Sequence, residues 1–378
     1  MAAPLKLLHV VESLDRGGLE RVVCDLALEQ ARAGHRVEVL CIFKPGAFAD
    51  ELTRTGIAVI AANKKKGLDV SVLRAIRAAS RRSGHQVVHT HNPVANYYAC
   101  LAEVTSWRRL PIVNTRHNMG ASDPNDRREK LFRWSVARTA KVAMVSSQVS
   151  ARFIDKGIVP ANKTSIVMNG IPLERYTRAD PASRAAARAR LAIDPQALVV
   201  GSVGRLVNVK NHRLLLAAAA PICRSRPELR IALVGAGELR GELEQQAQRS
   251  GIAEAVLFLG ERSDIPQVLP ALDIFVQPSR SEGHSIALLE AAAAGLPAVA
   301  TAVGGNPEIV QHDLTGLLVP DQDESALREA LRRLLDDSAQ RNSLGAGARL
   351  WAERTISVGA MAHQYDRLYR EAIGARAA

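Results

Sequence analysis

Short apolar runs alternate with longer stretches of helical periodicity from one end of the chain to the other. In the first half the strand candidates are Leu5–Val11, Arg36–Phe43, Ile57–Ala61, Val87–Thr90, Ile112–Thr115, Val142–Ser146 and Ser165–Met168. Helical patterns fall between them, as at Leu19–Ala33, Ser71–Ser83 and Asp126–Ala140. In the second half the strand candidates are Leu198–Val203, Arg230–Val234, Val256–Leu259, Ile274–Gln277, Ala298–Thr301 and Gly316–Val319. Strands alternating with helices predict parallel α/β architecture. The segment TRADPASRAAARARLAI, Thr177–Ile193, is polar, rich in Ala and Arg, and begins with turn residues, so a domain boundary is expected near it. There is no repeat of solenoid period, and no low-complexity region beyond this short linker.

Composition changes the picture little. A chain of 378 residues suits two domains. With 47% apolar and 23% charged residues it is ordinary globular protein, not disordered. No uncharged apolar run reaches the roughly 20 residues that span a bilayer. The start, MAAPLKLLHVVESL, lacks a charged n-region and reads as a first strand, not a signal peptide. Cys24, Cys41, Cys100 and Cys223 have no metal-ligand or C-x-x-C spacing, and reduced thiols in a cytoplasmic protein are expected.

Charge changes it more. Residues 1–190 hold 31 Lys/Arg against 16 Asp/Glu, whereas residues 191–378 hold 19 against 22. A basic first half is an electrostatic footprint for an anionic partner. Lys64–Lys66 and the run RREKLFRWSVARTAK at 127–141 concentrate it. The second run carries Leu131, Phe132, Trp134 and Val136 among its cations, as either a core-packing helix with a basic face or a membrane-surface helix would. No aromatic or zinc motif of nucleic-acid recognition accompanies the charge, so no nucleic-acid partner is expected.

Candidate chemistry is densest at residues 273–312, DIFVQPSRSEGHSIALLEAAAAGLPAVATAVGGNPEIVQH. Glu282 lies in a Ser/Gly-rich loop after a strand, and Glu290 lies inside an Ala/Leu-rich helix. Eight helical steps rotate by about 80°, which would let both carboxylates face one ligand. The amides of Gly283, His284 and Ser285 would open that helix, where phosphate oxygens are readily held. Carboxylates for hydroxyls beside amides for phosphate suggest a sugar-nucleotide pocket. Arg205 and Lys210, in GSVGRLVNVKN after strand Leu198–Val203, can clamp a diphosphate from two sides. Gly17-Gly18 follows the first strand and precedes a strong helix, where backbone can approach an anion closely. His91, in VVHTHNP, and His117, in NTRHNMG, each end a strand, with Arg116 beside the latter.

E-x7-E before A-x-A-x-G-x-P-x-x-A and a G-G-x-P-E turn, with G-R-L-x-x-x-K upstream, resembles the retaining GT-B glycosyltransferases of family 4. The resemblance spans nearly the whole chain. It implies two Rossmann-like parallel-sheet domains facing a cleft: residues 1–180 on the acceptor side and 181–356 binding the nucleotide sugar. A final helix, within 357–378, is expected to cross back onto the first domain. By resemblance His117 stands beside the transferred hexose, and Arg205 and Lys210 hold the donor diphosphate. Glu282 orients the sugar and Glu290 takes the ribose hydroxyls. His117, Arg205, Lys210 and Glu282 are therefore the expected catalytic group. Gly17, Gly18, His91, Arg116, Gly283, His284, Ser285, Ile286 and Glu290 are the expected substrate-binding residues.

The implied activity is metal-independent hexosyl transfer with retention, from a UDP- or GDP-sugar to a glycan or lipid-linked acceptor in cell-surface polysaccharide synthesis, lipopolysaccharide included. No cofactor is expected beyond the donor, and the place would be the cytoplasm, with peripheral contact at an anionic inner membrane face. Two departures stand out. Asn211 occupies a position often taken by glycine, and Gly283-His284-Ser285 replaces the common G-F-G, leaving the donor sugar open. A GT-B-fold UDP-sugar epimerase is the alternative reading, and a non-enzymatic basic nucleic-acid-binding protein a more distant one.

Three further motifs have simpler accounts. Gly235-Ala236-Gly237 lacks dinucleotide-fingerprint spacing and reads as a turn with Glu238 capping. Asp321-Gln322-Asp323 precedes a helix and reads as its cap. Glu308 caps or turns with Gly304 and Gly305, whose amides are also candidates for donor contact.

Overall fold

The structure, a computed structural model, describes residues 3–104, 106, 109–120, 127–177 and 180–377. The chain divides into two compact units, Met1–Gly170 with Val358–Ala378, and Ile171–Ser357.

The first unit holds β1 (Lys6–Val11), β2 (Arg36–Cys41), β3 (Ala58–Ala61), β4 (Val87–His91), β5 (Ile112–Arg116), β6 (Lys141–Met144) and β7 (Thr164–Ile166). They form one sheet of order β3-β2-β1-β4-β5-β6-β7, parallel throughout. The second unit holds β8 (Leu198–Val203), β9 (Leu229–Val234), β10 (Val256–Gly260), β11 (Ile274–Gln277), β12 (Ala298–Thr301) and β13 (Gly316–Val319). Their order, β10-β9-β8-β11-β12-β13, repeats the plan, again parallel. Each sheet therefore runs outward in two directions from a central pair, β1/β4 in one and β8/β11 in the other. At such a switch point the loops after the two strands diverge and leave a crevice at their carboxyl ends.

Alternation along each strand feeds two cores. In the second unit Val200, Ile231, Ile274 and Val299 pack with Leu215 and Leu331 on one face. Val199, Ala232, Phe275 and Ala298 pack with Leu289 and Ala352 on the other. In the first unit Leu8, Val10, Val88 and Ile112 pack with Ile76, Ala95 and Tyr98. The opposite face is different: it presents His9, His89, His91 and Thr115, all buried. The helices Gly18–Arg32 and Val358–Ala377 cover it, through Gln30, Tyr365 and Tyr369. The terminal helix thus belongs to the first unit.

The boundary differs from the expected 180/181. Ile171 donates its N–H to the Ile356 carbonyl at 2.9 Å, so the chain enters and leaves the second unit side by side. The supposed linker is largely a helix, Pro181–Arg190, capped by Asp180. Its Arg188 is buried and paired with Asp273 at 2.9 Å, which fixes it in the second unit despite its polar composition. Arg178 and Ala179 lie outside the described residues.

The helix expected at Asp126–Ala140 is seen at Arg127–Val136, and Asp126 lies outside the described residues. Phe132 and Val136 are buried in it, while Leu131 and Trp134 are exposed among its cations. Both readings of its amphipathic pattern thus have a face. None of the four cysteines is in a disulfide, and all four are buried. Among the described residues no helix is long and apolar enough to cross a membrane.

Candidate functional site

In the second unit, the loop after β8 carries Arg205 and Lys210, and the loop after β11 carries Glu282. They meet. Lys210 Nζ lies 2.7 Å from Glu282 Oε1, and the Arg280 N–H donates to the Val209 carbonyl at 2.9 Å. Glu282 Oε1 also accepts from Gln277 Nε2 at 2.7 Å and from Ser279 Oγ at 2.6 Å. Three donors converge on one oxygen of a nearly buried carboxylate, which fixes its rotamer and leaves Oε2 to be aimed. Arg205 is exposed, with its guanidinium available to an anion. Gln277 and Ser279 are not among the residues expected from the sequence, and the local trace of them is the spacing Q-x-S-x-x-E at 277–282.

Backbone explains the glycines around these loops. Gly235 has φ +142°, and a Cβ there would overlap the Gly204 carbonyl. Across the same turn the Leu206 N–H donates to Ala236 O at 2.9 Å, and Leu206 O accepts from the Leu239 N–H at 3.0 Å. The turn thus buttresses the Arg205 loop. Glu238 does not cap: the cap position is Leu239, and no side chain bonds there. Gly304 packs in the same way on the Glu282 carbonyl, and the Gly305 N–H donates to Gly283 O at 3.0 Å. That amide is spent inside the protein and does not point at a ligand. Asp323 caps the helix Glu324–Asp336 through the Ala326 N–H at 2.8 Å. Asn211 has φ +52°, the left-handed conformation that asparagine tolerates best after glycine, which explains its presence there.

The helix after the acidic loop is Ile286–Ala293, capped by Ser285 Oγ. Only Glu290 is helical, so the eight-step rotation argument does not apply. Gly283 and His284 lie in the loop before the cap, and Ile286 packs its side chain against the core. His284 is buried, which pushes its pKa down to about 4. His212, beside the cation loop, is lowered to about 4 by burial and by Lys210. Glu290 accepts from Tyr176 OH at 2.7 Å, a partner 114 residues away that no local pattern reveals.

In the first unit, Gly17 caps the helix Gly18–Arg32 in an extended conformation with no side-chain cap, at the carboxyl end of β1. His91 ends β4, and His117 follows β5. His91 Nδ1 and His117 Nε2 are 3.1 Å apart, so the structure brings these two candidates together. Asn92, left-handed at φ +66°, accepts the His117 N–H at 3.3 Å and fixes the loop. Burial and then the Arg116 charge lower His117 to about 3, and burial with the neighbouring rings puts His91 well below its ordinary value. Arg116 is not brought beside them. Alternation turns it to the other side of β5, where it pairs with Glu129 and lies over Phe132 and Phe153 at 4.8 and 4.7 Å. Its cation is consumed in that core.

Comparison with known proteins places this geometry. Residues 183–351 match the family of glycosyl transferases group 1, and residues 16–175 match glycosyltransferase family 4. A D-inositol 3-phosphate glycosyltransferase of Corynebacterium urealyticum is 30% identical over 316 residues, 78% of this chain and 74% of the relative. One from Mycobacterium sp. strain KMS is 30% identical over 341 residues, 82% of this chain and 75% of the relative. Anabaena HepE, in complex with UDP and glucose, superposes with a TM-score of 0.85 at 25% identity, covering 96% of this chain and 99% of its own. Two parallel-sheet Rossmann-like domains with these likenesses make the fold GT-B, and the chain belongs to the group 1 glycosyltransferases of family 4.

Proposed function

We propose that this glycosyltransferase moves a hexose or N-acetylhexosamine from a UDP-sugar to an anionic acceptor, without a metal ion and with retention. The observation that carries the reading is the meeting of the Arg205–Lys210 loop with the Glu282 loop at the β8/β11 switch point. Bond breaking at the anomeric carbon leaves negative charge on the departing diphosphate. Arg205, Lys210 and the amides leading into Ile286–Ala293 stabilise that charge, the work a divalent cation would otherwise do. Glu282, held at Oε1, offers Oε2 to sugar hydroxyls, and Glu290 takes the ribose. HepE was captured with UDP and with UDP-glucose, which favours uridine over guanosine in the donor. Retention by front-face attack, with no glycosyl-enzyme intermediate, goes with the family.

For the acceptor, the basic first half supports a phosphorylated species. A lipid-linked glycan at the cytoplasmic membrane face, in cell-surface polysaccharide synthesis, is one reading. Exposed Leu68 and Val70 beside Lys64–Lys66, and exposed Leu131 and Trp134, support peripheral contact there. The relatives' names favour a second, inositol 3-phosphate.

A thermal-shift screen of UDP-, GDP- and ADP-sugars, with and without EDTA, tests the donor and the metal together. Melting should rise with one UDP-sugar irrespective of EDTA, and the rise should vanish in Lys210→Ala. Mass spectrometry of products from inositol 3-phosphate and from a polyprenyl-diphosphate glycan then separates the acceptors, and NMR of the product reports the anomer. No shift with any nucleotide sugar would overturn the reading.

A further inference from the structure

The polar layer on the first sheet is a single hydrogen-bonded chain. Register sets His9 beside His89 and His91 beside Thr115, so β1, β4 and β5 offer their polar side chains to one face. Gln30 Nε2 donates to Tyr369 OH at 2.9 Å, so its Oε1 is the atom that faces His9 Nε2 at 2.8 Å. His9 therefore carries its proton on Nε2. A neutral His9 then has a bare Nδ1, which accepts from His91 Nε2 at 3.0 Å. His91 in turn has a bare Nδ1, which accepts from His117 Nε2 at 3.1 Å. The direction set at Gln30 runs through three rings and ends at His117. There Nδ1 is buried with no partner, at the carboxyl end of the sheet.

We propose that His91 and His9 are positioning residues that hold His117 as its Nε2–H tautomer, so that Nδ1 stands ready to accept a hydrogen bond from a substrate hydroxyl. That the hydroxyl is a sugar's rests on the glycosyl-transfer reading; the tautomer does not.

Neutral rings are essential, since an imidazolium donates from both nitrogens and breaks the direction. Burial keeps His9 down at about 4, with His85 adding to it, and holds His89 and His91 well below their ordinary values. Arg116 lies on the other side of β5, tied to Glu129; on the layer's own side Tyr365 and Tyr369 are raised by burial, the latter also by Tyr365 and Asp366. His9, His89 and His91 also approach the spacing of a cation site. All six of their ring nitrogens are already bonded, to His91, Gln30, Thr115, Tyr369, His9 and His117. A cation there would displace the chain.

The test uses the full chain labelled with ¹⁵N-histidine at pH 7.5, as wild type, His9→Leu, His9→Asn and Gln30→Leu. Long-range ¹H–¹⁵N spectra should show His117 protonated at Nε2 alone in wild type. His9→Leu should give a mixture of tautomers at His117, two rings away, and His9→Asn, which keeps an acceptor toward His91, should restore the single form. With the donor identified by the melting screen, kcat/KM should fall about three- to tenfold in His9→Leu, one hydrogen bond's worth, and recover in His9→Asn. Gln30→Leu serves where His9→Leu does not fold. His117 protonated at Nδ1 in wild type, an unchanged His117 tautomer in the leucine variants, or stoichiometric divalent metal in the purified chain would each overturn the proposal. If no nucleotide sugar is turned over, the spectra still decide it, and the functional reading alone fails.

Discussion

Replacing Gly304 by alanine asks whether backbone packing, not side-chain bonding, holds the acidic loop of the second unit in place. Gly304 sits at φ +52°, where a residue with a Cβ costs about 1–2 kcal/mol. The added methyl would also overlap the Glu282 carbonyl, which is backbone and cannot swing aside. Relief requires the 304–305 turn to lift from the 282–283 loop, with loss of the Gly305 N–H to Gly283 O bond. That adds about 0.5–1.5 kcal/mol, for a total of about 1.5–3.5 kcal/mol. In a unit of this size each kcal/mol lowers Tm by about 2–4 °C, so calorimetry should show a fall of about 3–14 °C. Affinity for the nucleotide sugar should fall at least about tenfold, because Glu282 would move with its loop relative to Lys210. Gly241→Ala is the control. It lies within the helix Arg240–Arg249 with open space where the methyl would go, and should gain about 0.5–1 kcal/mol. A Gly304→Ala protein with wild-type Tm and donor affinity would refute the account of why that glycine is there.

Tyr176→Phe removes the hydroxyl that bonds Glu290; titration calorimetry should show the nucleotide sugar bound about three- to tenfold more weakly, and unchanged binding would detach Tyr176 from the site. Lys210→Met and Glu282→Gln should be non-additive in chemical denaturation, with a coupling of about 0.5–3 kcal/mol, because each leaves the other's charge without its partner; additive losses would mean the pair does not form in solution. Acid should loosen the first unit before the second. Between about pH 6.5 and 4 the unfolded chain protonates histidines that buried His9, His117, His212 and His284 keep neutral, so stability is full above 6.5 and falls with pH at about 1.4 kcal/mol per unit for each. The first unit also holds His89 and His91, and hydrogen exchange followed by mass spectrometry should find its peptides opening first; equal opening would contradict the sign or the burial.

What was legible in the sequence follows from how local each feature is. Leu198–Val203, Ile274–Gln277, Ala298–Thr301 and Gly316–Val319 are strands residue for residue, because a strand buried on both faces reads as a bounded apolar run. In the first unit Arg36–Phe43 ends at Cys41, and Ser165–Met168 slides to Thr164–Ile166, an edge strand that is only half buried. The boundary is not legible locally, because the residues that bind Ile171–Tyr176 to the second unit, Ile356 and Glu290, lie far along the chain. Arg116 looked like a site cation from its place beside His117, but alternation sends neighbours to opposite faces. The imidazole chain spans residues 9 to 369, and the only local trace of it is His89 and His91 two apart in a strand.

The two switch points solve the same problem by different physics. In the second unit a cation and a carboxylate meet, and glycine turns pack backbone against backbone to keep them there. In the first, histidines that burial keeps neutral do the ordering by hydrogen-bond direction alone. Little of the strong positive charge of residues 1–190 is at the imidazoles, where Arg116, whose charge reaches His117, is paired with Glu129. It lies on exposed positions such as Lys65, Arg127, Lys130 and Arg133. Charge on that scale and at those places acts at long range on whatever anion approaches, while the buried rings act only within hydrogen-bond reach. On the proposed function, recruitment of an anionic acceptor and orientation of the reacting sugar would fall to separate residues of one unit, so that substitutions at the exposed cations should leave the His117 tautomer unchanged.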